Sequence, residues 1–262
     1  MTLLQIYLRA IVDMRCTLED GRAVVLHVDQ FLQVNERSAV CRGFCVNVDV
    51  FPRLIPMRRL YAKTINSGCS SNTPILLKFG DPRRLVREAR ALERMEQRQV
   101  SRVPRKVLAG IVCFNSVTLH VLGLTFFEGP TLAAGSVALT AEGVQLLRAT
   151  LEAIHRSCNL VHRDVKPDNI IIAKGGVPIL VDFDCAGDIG EKGFRGTSLW
   201  ASPHALSGQG AVPSDDFYSL DLILQRGANS TTLYSPPTPP SKPDSTTLRS
   251  PPTLSEGCVN NF

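Results

Sequence analysis

The chain has 262 residues, of which 44% are hydrophobic and 20% are charged. This composition excludes a chain that is disordered overall, and the length is sufficient for one large domain or two lobes with a buried core. The formal net charge of +5 is a mild basic excess, which does not by itself indicate a nucleic-acid partner.

The cysteines and the N-terminus bear on the cellular compartment. None of the eight cysteines forms a CxxC pair or has companion histidines at zinc-ligand spacing, so we interpret them as reduced thiols. The apolar run at the N-terminus is interrupted by Arg9 and Asp13, and no later stretch reaches about 18 apolar residues. We therefore expect an intracellular protein without a membrane partner, in the cytoplasm, with the nucleus as an open alternative.

Residues 1–73 contain short β-prone runs at 23–28 and 39–50, separated by charged or Gly-containing breaks. The register of these runs cannot be assigned from the sequence, so this region is predicted only as β-rich.

Strands and helices follow from residue 74 to about residue 226. We predict strands at 75–79, near 107–114 and near 118–127, with a helix at 82–97. A longer helix is predicted to begin after Thr140, as its N-cap, and to end at Cys158. Its apolar face consists of Val144, Leu147, Leu151 and Ile154.

The helix at 82–97 lies in an Arg-rich stretch in which glutamates interleave with the arginines and no aromatic residue is present to stack on bases. This pattern favours a solvated basic face, and a nucleic-acid patch is the alternative. The arginines are Arg83, Arg84, Arg87, Arg90, Arg94, Arg98, Arg102 and Arg105, and the glutamates are Glu88, Glu93 and Glu96.

Residues 227–262 are rich in Pro, Ser and Thr, and TTLYSPPT at 231–238 returns as TTLRSPPT at 246–253. Dense prolines favour extended, disordered chain, so this tail is predicted to be disordered. It offers Ser235, Thr238 and Ser250 to a proline-directed kinase, and the run PPTPP to an SH3 or WW module.

The most specific signal in the chain is a pair of segments that read LVHRDVKPDNIII at 160–172 and ILVDFDCAG at 179–187. They resemble the catalytic loop and the metal-binding motif of the eukaryotic-type protein kinases. The resemblance implies that Asp164 orients the acceptor hydroxyl and that Lys166 steadies the transferring phosphate, in the serine/threonine-type pattern. It also implies that Asn169 and Asp182 bind Mg²⁺ as hard oxygen ligands.

Two upstream features carry the resemblance further. Lys78 ends an apolar strand, and the resemblance implies that it binds the phosphates of ATP with Glu88 as its partner, Glu93 being the competing choice. The segment FFEGP at 126–130 resembles the hinge, where backbone groups around Glu128 would receive adenine.

Downstream, GTSLWASPH at 196–204 resembles the segment that closes the activation region of kinases. Asp216 matches the aspartate that braces the backbone of the catalytic loop in the family. The resemblance as a whole covers about residues 75–225.

The chain departs from the family pattern at four places. No G-x-G-x-x-G precedes Lys78, which predicts weaker ATP binding. Asp184 replaces the usual glycine, which restricts the backbone and adds a carboxylate that could alter metal affinity. His204 replaces a glutamate, and the Pro-rich tail begins where further helices are usual. The last departure predicts exposed apolar surface around Phe217, Leu220, Leu222 and Leu224.

Residues 184–196 contain no Ser, Thr or Tyr. In the family, an arginine at the position of Arg163 usually receives a phosphorylated activation loop. We therefore predict that Arg163 is paired by a fixed acid, Asp188 or Glu191, and that activity does not depend on phosphorylation of that loop.

Together these features predict an α+β, bilobal protein-kinase-like fold with a small β-rich N-lobe and a mostly helical, shortened C-lobe. The expected divisions are 1–73, 74–130 up to the hinge, 131–226 and the tail at 227–262. The expected function is transfer of the ATP γ-phosphate to Ser/Thr hydroxyls of a protein substrate. A pseudokinase or kinase-like scaffold and a small-molecule phosphotransferase are the alternatives.

Overall fold

The structure is a computed structural model that describes residues 13–34, 39–47, 73–114 and 117–228. The duplicated repeat of the tail and its predicted docking motifs lie outside the described residues. Within the described residues, strands and helices form an α+β structure, as the sequence predicts. None of the described helices is both long and apolar enough to cross a bilayer.

Six antiparallel strands close into a barrel in the order β1-β2-β3-β4-β6-β5. The pairing of β1 with β5, for example Cys16 opposite Val112, completes the closure. The strands are β1 (Asp13–Leu18), β2 (Ala23–Val34), β3 (Ala39–Asn47), β4 (Ile75–Gly80), β5 (Lys106–Phe114) and β6 (Val117–Thr125).

Alternation along β4 decides which side of the strand carries polar chemistry. Ile75, Leu77 and Phe79 are buried and belong to the barrel core. Because successive side chains of a strand point to opposite faces, Lys78 lies on the other face, towards the helix that follows.

Within the described ranges, four α-helices accompany the barrel. They are α1 (Pro82–Gln97), α2 (Ala141–Cys158), α3 (Pro203–Leu206) and α4 (Pro213–Ala228). The predicted bounds of the first two are confirmed. Asp81 caps α1 by accepting a hydrogen bond from the amide of Arg83, and Thr140 caps α2 through the amide of Gly143.

A second core joins α1, α2 and α4. Leu92 of α1 packs with Leu151 and Ile154 of α2 and with Leu220 of α4. The expectation of exposed apolar surface was wrong for Leu220, which is fully buried, because α4 docks on this core. The other three residues of that expectation, Phe217, Leu222 and Leu224, are partly buried against the same core.

Two short antiparallel ribbons lie between α2 and α3. One pairs β7 (Leu160–Val161) with β10 (Gly187–Asp188), and the other pairs β8 (Ile170–Ala173) with β9 (Val177–Leu180). The connections at the ends of these ribbons carry the two kinase-like motifs.

Candidate active site

Two carboxylates that are far apart in the sequence meet at Lys78. Its ammonium Nζ lies 2.7 Å and 2.8 Å from the two carboxylate oxygens of Glu88 in α1. The same Nζ lies 2.7 Å from Oδ1 of Asp182, just after β9. The Glu88 carboxylate also accepts a hydrogen bond of 3.2 Å from the amide of Phe183. One buried carboxylate thus holds both the lysine and the segment that carries Asp182.

Burial and charge act in opposite directions on this cluster. Burial lowers the pKa of Lys78, but the charges of Glu88 and Asp182 outweigh burial and raise it above its ordinary value. Burial also acts to raise the pKa of Asp182, yet the neighbouring ammonium lowers it. For Glu88, which has no exposed side-chain surface, burial dominates and raises the pKa. With one ammonium facing two carboxyl groups, the cluster is suited to bind a further cation.

The structure distinguishes between the two glutamates that the sequence left as partners of Lys78. Glu88 faces the lysine with its side chain fully buried, and Leu92 one turn later is buried on the same side. Glu93 instead forms an ion pair with Lys106 on β5, which also pairs with Glu19. Glu93 therefore serves the contact between α1 and the barrel.

Asp164 is enclosed by donors, and only 7% of its side chain is exposed. Its Oδ1 accepts a hydrogen bond of 2.8 Å from the amide of Thr197. Its Oδ2 lies 2.9 Å from Nζ of Lys166 and 3.2 Å from Nδ2 of Asn169. The three loop residues that the sequence selects are thus in mutual contact.

Lys166 also donates a hydrogen bond of 3.0 Å to Oγ1 of Thr197. Burial lowers the pKa of Lys166, but its bond to Asp164 raises it to a net value above the ordinary one, so the amine stays charged. Sequence reasoning did not count Thr197 as a site residue. Its place in the segment GTSLWASP was the available signal.

Asp216 in α4 holds the backbone of the loop. Its two carboxylate oxygens accept hydrogen bonds from the amides of His162 and Arg163, at 2.8 Å and 2.9 Å. Arg163 has a φ of 70°, a left-handed conformation that is costly for a residue with a side chain. The two hydrogen bonds of Asp216 therefore stabilise a strained turn directly before Asp164, as its predicted bracing role requires.

The same Asp216 oxygen that binds the His162 amide lies 2.8 Å from Nε2 of His155 in α2. This histidine was missed by sequence reasoning, since nothing in the helical pattern distinguishes it from other residues of the last turn. The bond joins α2, the loop and α4 at one buried carboxylate.

His162 connects the loop to the strand that ends at Asp182. Its Nδ1 accepts a hydrogen bond of 3.2 Å from the amide of Asp164, and its Nε2 lies 3.1 Å from the carbonyl of Val181. Because Nδ1 is an acceptor, the proton lies on Nε2 and donates to Val181. The ring also packs on Phe183 at a centroid distance of 4.6 Å.

Glu128 is not brought into contact with the other predicted site residues. It is exposed, as are Gly129 and Pro130. The segment runs beside β8: the carbonyl of Pro130 accepts a hydrogen bond from Ile172, and a Cβ on Gly129 would lie 2.2 Å from the Ile172 carbonyl oxygen. Strand β6 also ends at Thr125, two residues earlier than predicted.

The side chain and the backbone carbonyl of Asp184 both contact α1. Its Oδ2 lies 2.6 Å from Nη2 of Arg84, and its backbone carbonyl accepts a hydrogen bond of 2.7 Å from Arg87. The Arg-rich helix, predicted to present a solvated basic face, thus uses two of its arginines to contact the segment after Asp182.

Arg163 is paired by Glu191, one of the two acids that the sequence offers. Its Nη1 lies 3.5 Å from Oε2 of Glu191, and its Nη2 donates to the carbonyl of Gly193. Burial, and then the neighbouring Arg195, lowers the pKa of Arg163. The other candidate, Asp188, pairs with Arg94 of α1.

His204, which replaces the usual glutamate, lies beside Asp215 of α4. Its Nδ1 is 3.1 Å and 3.2 Å from the two carboxylate oxygens. Ser202 donates to the same carboxylate at 2.5 Å, and so does the amide of Val212 at 3.1 Å. This position is therefore anchored within α3 and α4.

Asn169 and Asp182 fit the requirements of a magnesium site. Nδ2 of Asn169 is used as a donor to Asp164, so its carbonyl oxygen remains for a cation, and Asp182 keeps Oδ2 beside the oxygen that faces Lys78. Among the described residues, no group of three or more His, Cys, Asp or Glu side chains could hold a metal. A cation here would take further ligands from water or phosphate, as Mg²⁺ commonly does.

Comparison with known proteins finds similarity to protein kinases. The protein kinase domain family matches residues 138–247. Serine/threonine-protein kinase PknL of Mycobacterium tuberculosis is 32% identical over 204 residues, which are 71% of this chain and 45% of PknL. MAP kinase kinase skh1/pek1 of Schizosaccharomyces pombe is 34% identical over 88 residues, 32% of this chain and 24% of that protein.

A third relative, mitogen-activated protein kinase kinase mkk1 of Cytospora mali, is 38% identical over 88 residues, 32% of this chain and 16% of that protein. The match thus spans less than half the length of each of the three relatives.

Proposed function

We propose, from the premise that this chain belongs to the eukaryotic-type protein kinase family, that it transfers the γ-phosphoryl group of ATP to serine or threonine hydroxyls of a protein substrate. The observation that carries this proposal is the convergence of Lys78, Glu88 and Asp182 in one ion cluster. Phosphoryl transfer needs little covalent chemistry from the protein and depends on positioning and charge neutralisation.

In this proposal Lys78 binds phosphate oxygens and Glu88 fixes the direction of its ammonium. Asn169 and Asp182 hold Mg²⁺, which when bound neutralises the charge of the phosphates. The raised pKa of Lys78 supports its role, because the amine stays charged throughout the physiological range.

Asp164 orients the acceptor hydroxyl, and Lys166 steadies the transferring group. Both Asp164 oxygens already accept hydrogen bonds, so the carboxylate is fixed before any substrate arrives. Lys166 and Thr197 lie together at its edge, which supports a preorganised acceptor site.

The proposal includes the two lobes and their boundaries: an N-lobe whose core runs from 74 to the hinge at 130, and a C-lobe from 131 to 226. Backbone groups around Glu128 would receive adenine at the hinge. Beyond the C-lobe, the tail at 227–262 would offer its PPTPP run to an SH3 or WW module, or its Ser-Pro and Thr-Pro sites to a proline-directed kinase. An intracellular location completes the proposal.

A kinase-like scaffold without transfer activity is the second candidate. The observation that favours it lies between β2 and β3, where residues 35–38 read NERS and contain no glycine. A phosphate-covering loop needs glycine so that its backbone can approach the nucleotide closely. A loop without glycine would therefore bind the nucleotide weakly.

The deciding experiment is a transfer assay with ATP, Mg²⁺ and a generic protein substrate. The intact chain is compared with Asp164→Asn, Lys78→Met and the matched control Lys174→Met, an exposed lysine. We expect transfer by the intact chain and the control, and background signal from the other two.

Equal background in all four proteins would overturn the proposal. A thermal-shift titration with ATP and Mg²⁺ then separates the alternatives, since a nucleotide-binding scaffold is still stabilised by its ligand. Transfer to an aminoglycoside or choline, with none to protein, would identify a small-molecule phosphotransferase.

A further inference from the structure

Asp184 stands where most members of the family have glycine, and its side chain makes a contact that glycine could not make. Its Oδ2 lies 2.6 Å from Nη2 of Arg84, with 17% of the Asp184 side chain exposed. Arg84 lies in the first turn of α1, one turn before Glu88. The extra carboxylate therefore connects the segment after Asp182 to the start of the helix that carries the partner of Lys78.

Three bonds join α1 to two successive residues of this segment. The amide of Phe183 donates to Glu88, the carbonyl of Asp184 accepts from Arg87, and the carboxylate of Asp184 pairs with Arg84. The first two involve only backbone atoms of the segment. The third depends on the side chain at position 184.

The segment after β9 has an unfavourable backbone conformation, which an additional contact can stabilise. Asp182 has a φ of 67°, a conformation that glycine adopts freely and that other residues rarely adopt. A 3-10 turn follows at Phe183–Cys185. A side chain at position 184 limits the backbone relative to glycine, and its ion pair fixes the turn against α1.

A third arginine of α1 acts at the other end of the helix. Nη1 of Arg94 lies 2.6 Å from Asp188 and 3.1 Å from the carbonyl of Cys158. The helix is thus held near its start by the two arginines that contact Asp184, and near its end by Arg94, which reaches β10 and the last turn of α2. These contacts within the fold explain three arginines of the Arg-rich stretch, and no nucleic-acid partner is needed to explain them.

We infer that Arg84, Arg87 and Asp184 form a clamp that holds α1 in the position where Glu88 reaches Lys78. The three are positioning residues for the phosphotransfer proposed above, and the inference rests on that function only for its effect on rate. In this chain, the arrangement of Lys78, Glu88 and Asp182 is maintained by a fixed ion pair within the fold.

The clamp is tested with Arg84→Ala, Asp184→Asn and the double variant. Arg90→Ala is the matched control, because Arg90 is an exposed arginine of the same helix whose side chain makes no hydrogen bond or ion pair within the described part of the chain. The first readout is hydrogen exchange of peptides that cover 182–185 and the start of α1, which needs no activity.

We expect each single variant to accelerate this exchange about two- to fivefold relative to the control, as for a half-exposed ion pair. The double variant should add little to either single variant, because both remove the same bond. Arg84→Lys should restore most of the protection. Exchange equal to the control in both single variants would overturn the clamp.

The second readout is the steady-state rate as a function of ATP and Mg²⁺. The clamp predicts that Arg84→Ala and Asp184→Asn change kcat and the KM for ATP in parallel. A raised Mg²⁺ requirement in Asp184→Asn alone would instead make Asp184 a metal ligand and overturn the clamp. If no variant and no wild-type protein transfers phosphate, the proposed function fails, and the exchange measurement still decides the clamp.

Discussion

Asp216 binds His155 across the buried junction of two helices, with 2.8 Å between Oδ2 and Nε2, while its two oxygens also hold the amides of His162 and Arg163. Only 1% of the Asp216 side chain is exposed. A carboxylate with this many donors determines the conformation of the loop that carries Asp164. The loop geometry therefore depends on α4 as much as on the motif itself.

Asp216→Ala should destabilise the fold by about 3–5 kcal/mol, because it leaves buried donors without a partner. Asp216→Asn keeps the shape and should lose less. Both are measured by chemical denaturation against Asp221→Asn, a change at a half-exposed ion pair of the same helix that should cost less than about 1 kcal/mol. A loss for Asp216→Ala no larger than that of Asp221→Asn would contradict the bracing role.

Glu88→Gln should lower phosphate transfer by about 10- to 100-fold, since it removes one buried charge-assisted bond to Lys78. Glu93→Gln is the matched control, because Glu93 pairs with Lys106 away from the cluster. Initial rates at saturating and limiting ATP measure the effect. A larger loss in Glu93→Gln than in Glu88→Gln would mean that the wrong glutamate has been assigned to Lys78.

The activity should be independent of phosphorylation in the segment that contains Glu191. Because Glu191 already compensates the buried guanidinium of Arg163, phosphatase treatment and Ser198→Ala should leave the rate unchanged. Glu191→Gln should lower the rate about two- to fivefold, whereas Glu152→Gln, at a surface pair of α2, should not. A phosphate mapped to Ser198 or Thr197 and required for activity would refute this prediction.

Buried thiols of the described residues should react slowly with alkylating reagents at neutral pH. Burial raises the pKa of Cys41 to about 12 and, together with Asp184, that of Cys185 to about 12. Because the thiolate is the reactive form, its fraction stays very small until the pH approaches these values. Peptide mass spectrometry after iodoacetamide treatment should show both thiols protected in the native chain and modified after denaturation. Rapid labelling of either in the native chain would contradict their burial.

Local patterns predicted much of the helical part. Thr140 and the apolar spacing after it predicted the bounds of α2 correctly, because an N-cap and a helical face depend on residues that are close in the sequence. The contacts of Asp164 with Lys166 and Asn169 could also be predicted from the sequence, since all three residues lie on one short loop.

Contacts between distant segments could not be predicted in the same way. The barrel closes through β1 and β5, and no local pattern encodes a register between Cys16 and Val112. The ion pair of Asp184 with Arg84 joins two segments that are far apart in the sequence, and no local pattern indicates it. Leu220 was expected to be exposed because the Pro-rich tail begins where the family has further helices. It is buried because α4 docks on the second core, a placement that depends on the whole fold.

Gly43 is an isolated glycine that precedes Lys78 in the sequence, and its place in β3 indicates a role in packing. It lies opposite Val28 of β2, and a Cβ at this position would be 2.3 Å from the carbonyl oxygen of His27. Gly43→Ala should therefore destabilise the barrel by about 1–3 kcal/mol, as overpacking does.

Gly227→Ala is the control, because Gly227 lies in α4 with open space around its Cα, and alanine there should be neutral or stabilising by up to about 1 kcal/mol. Denaturation of both variants measures the difference, and an ATP titration is run in parallel. Weaker ATP binding by Gly43→Ala at unchanged stability would contradict the packing role and assign this glycine to the nucleotide site.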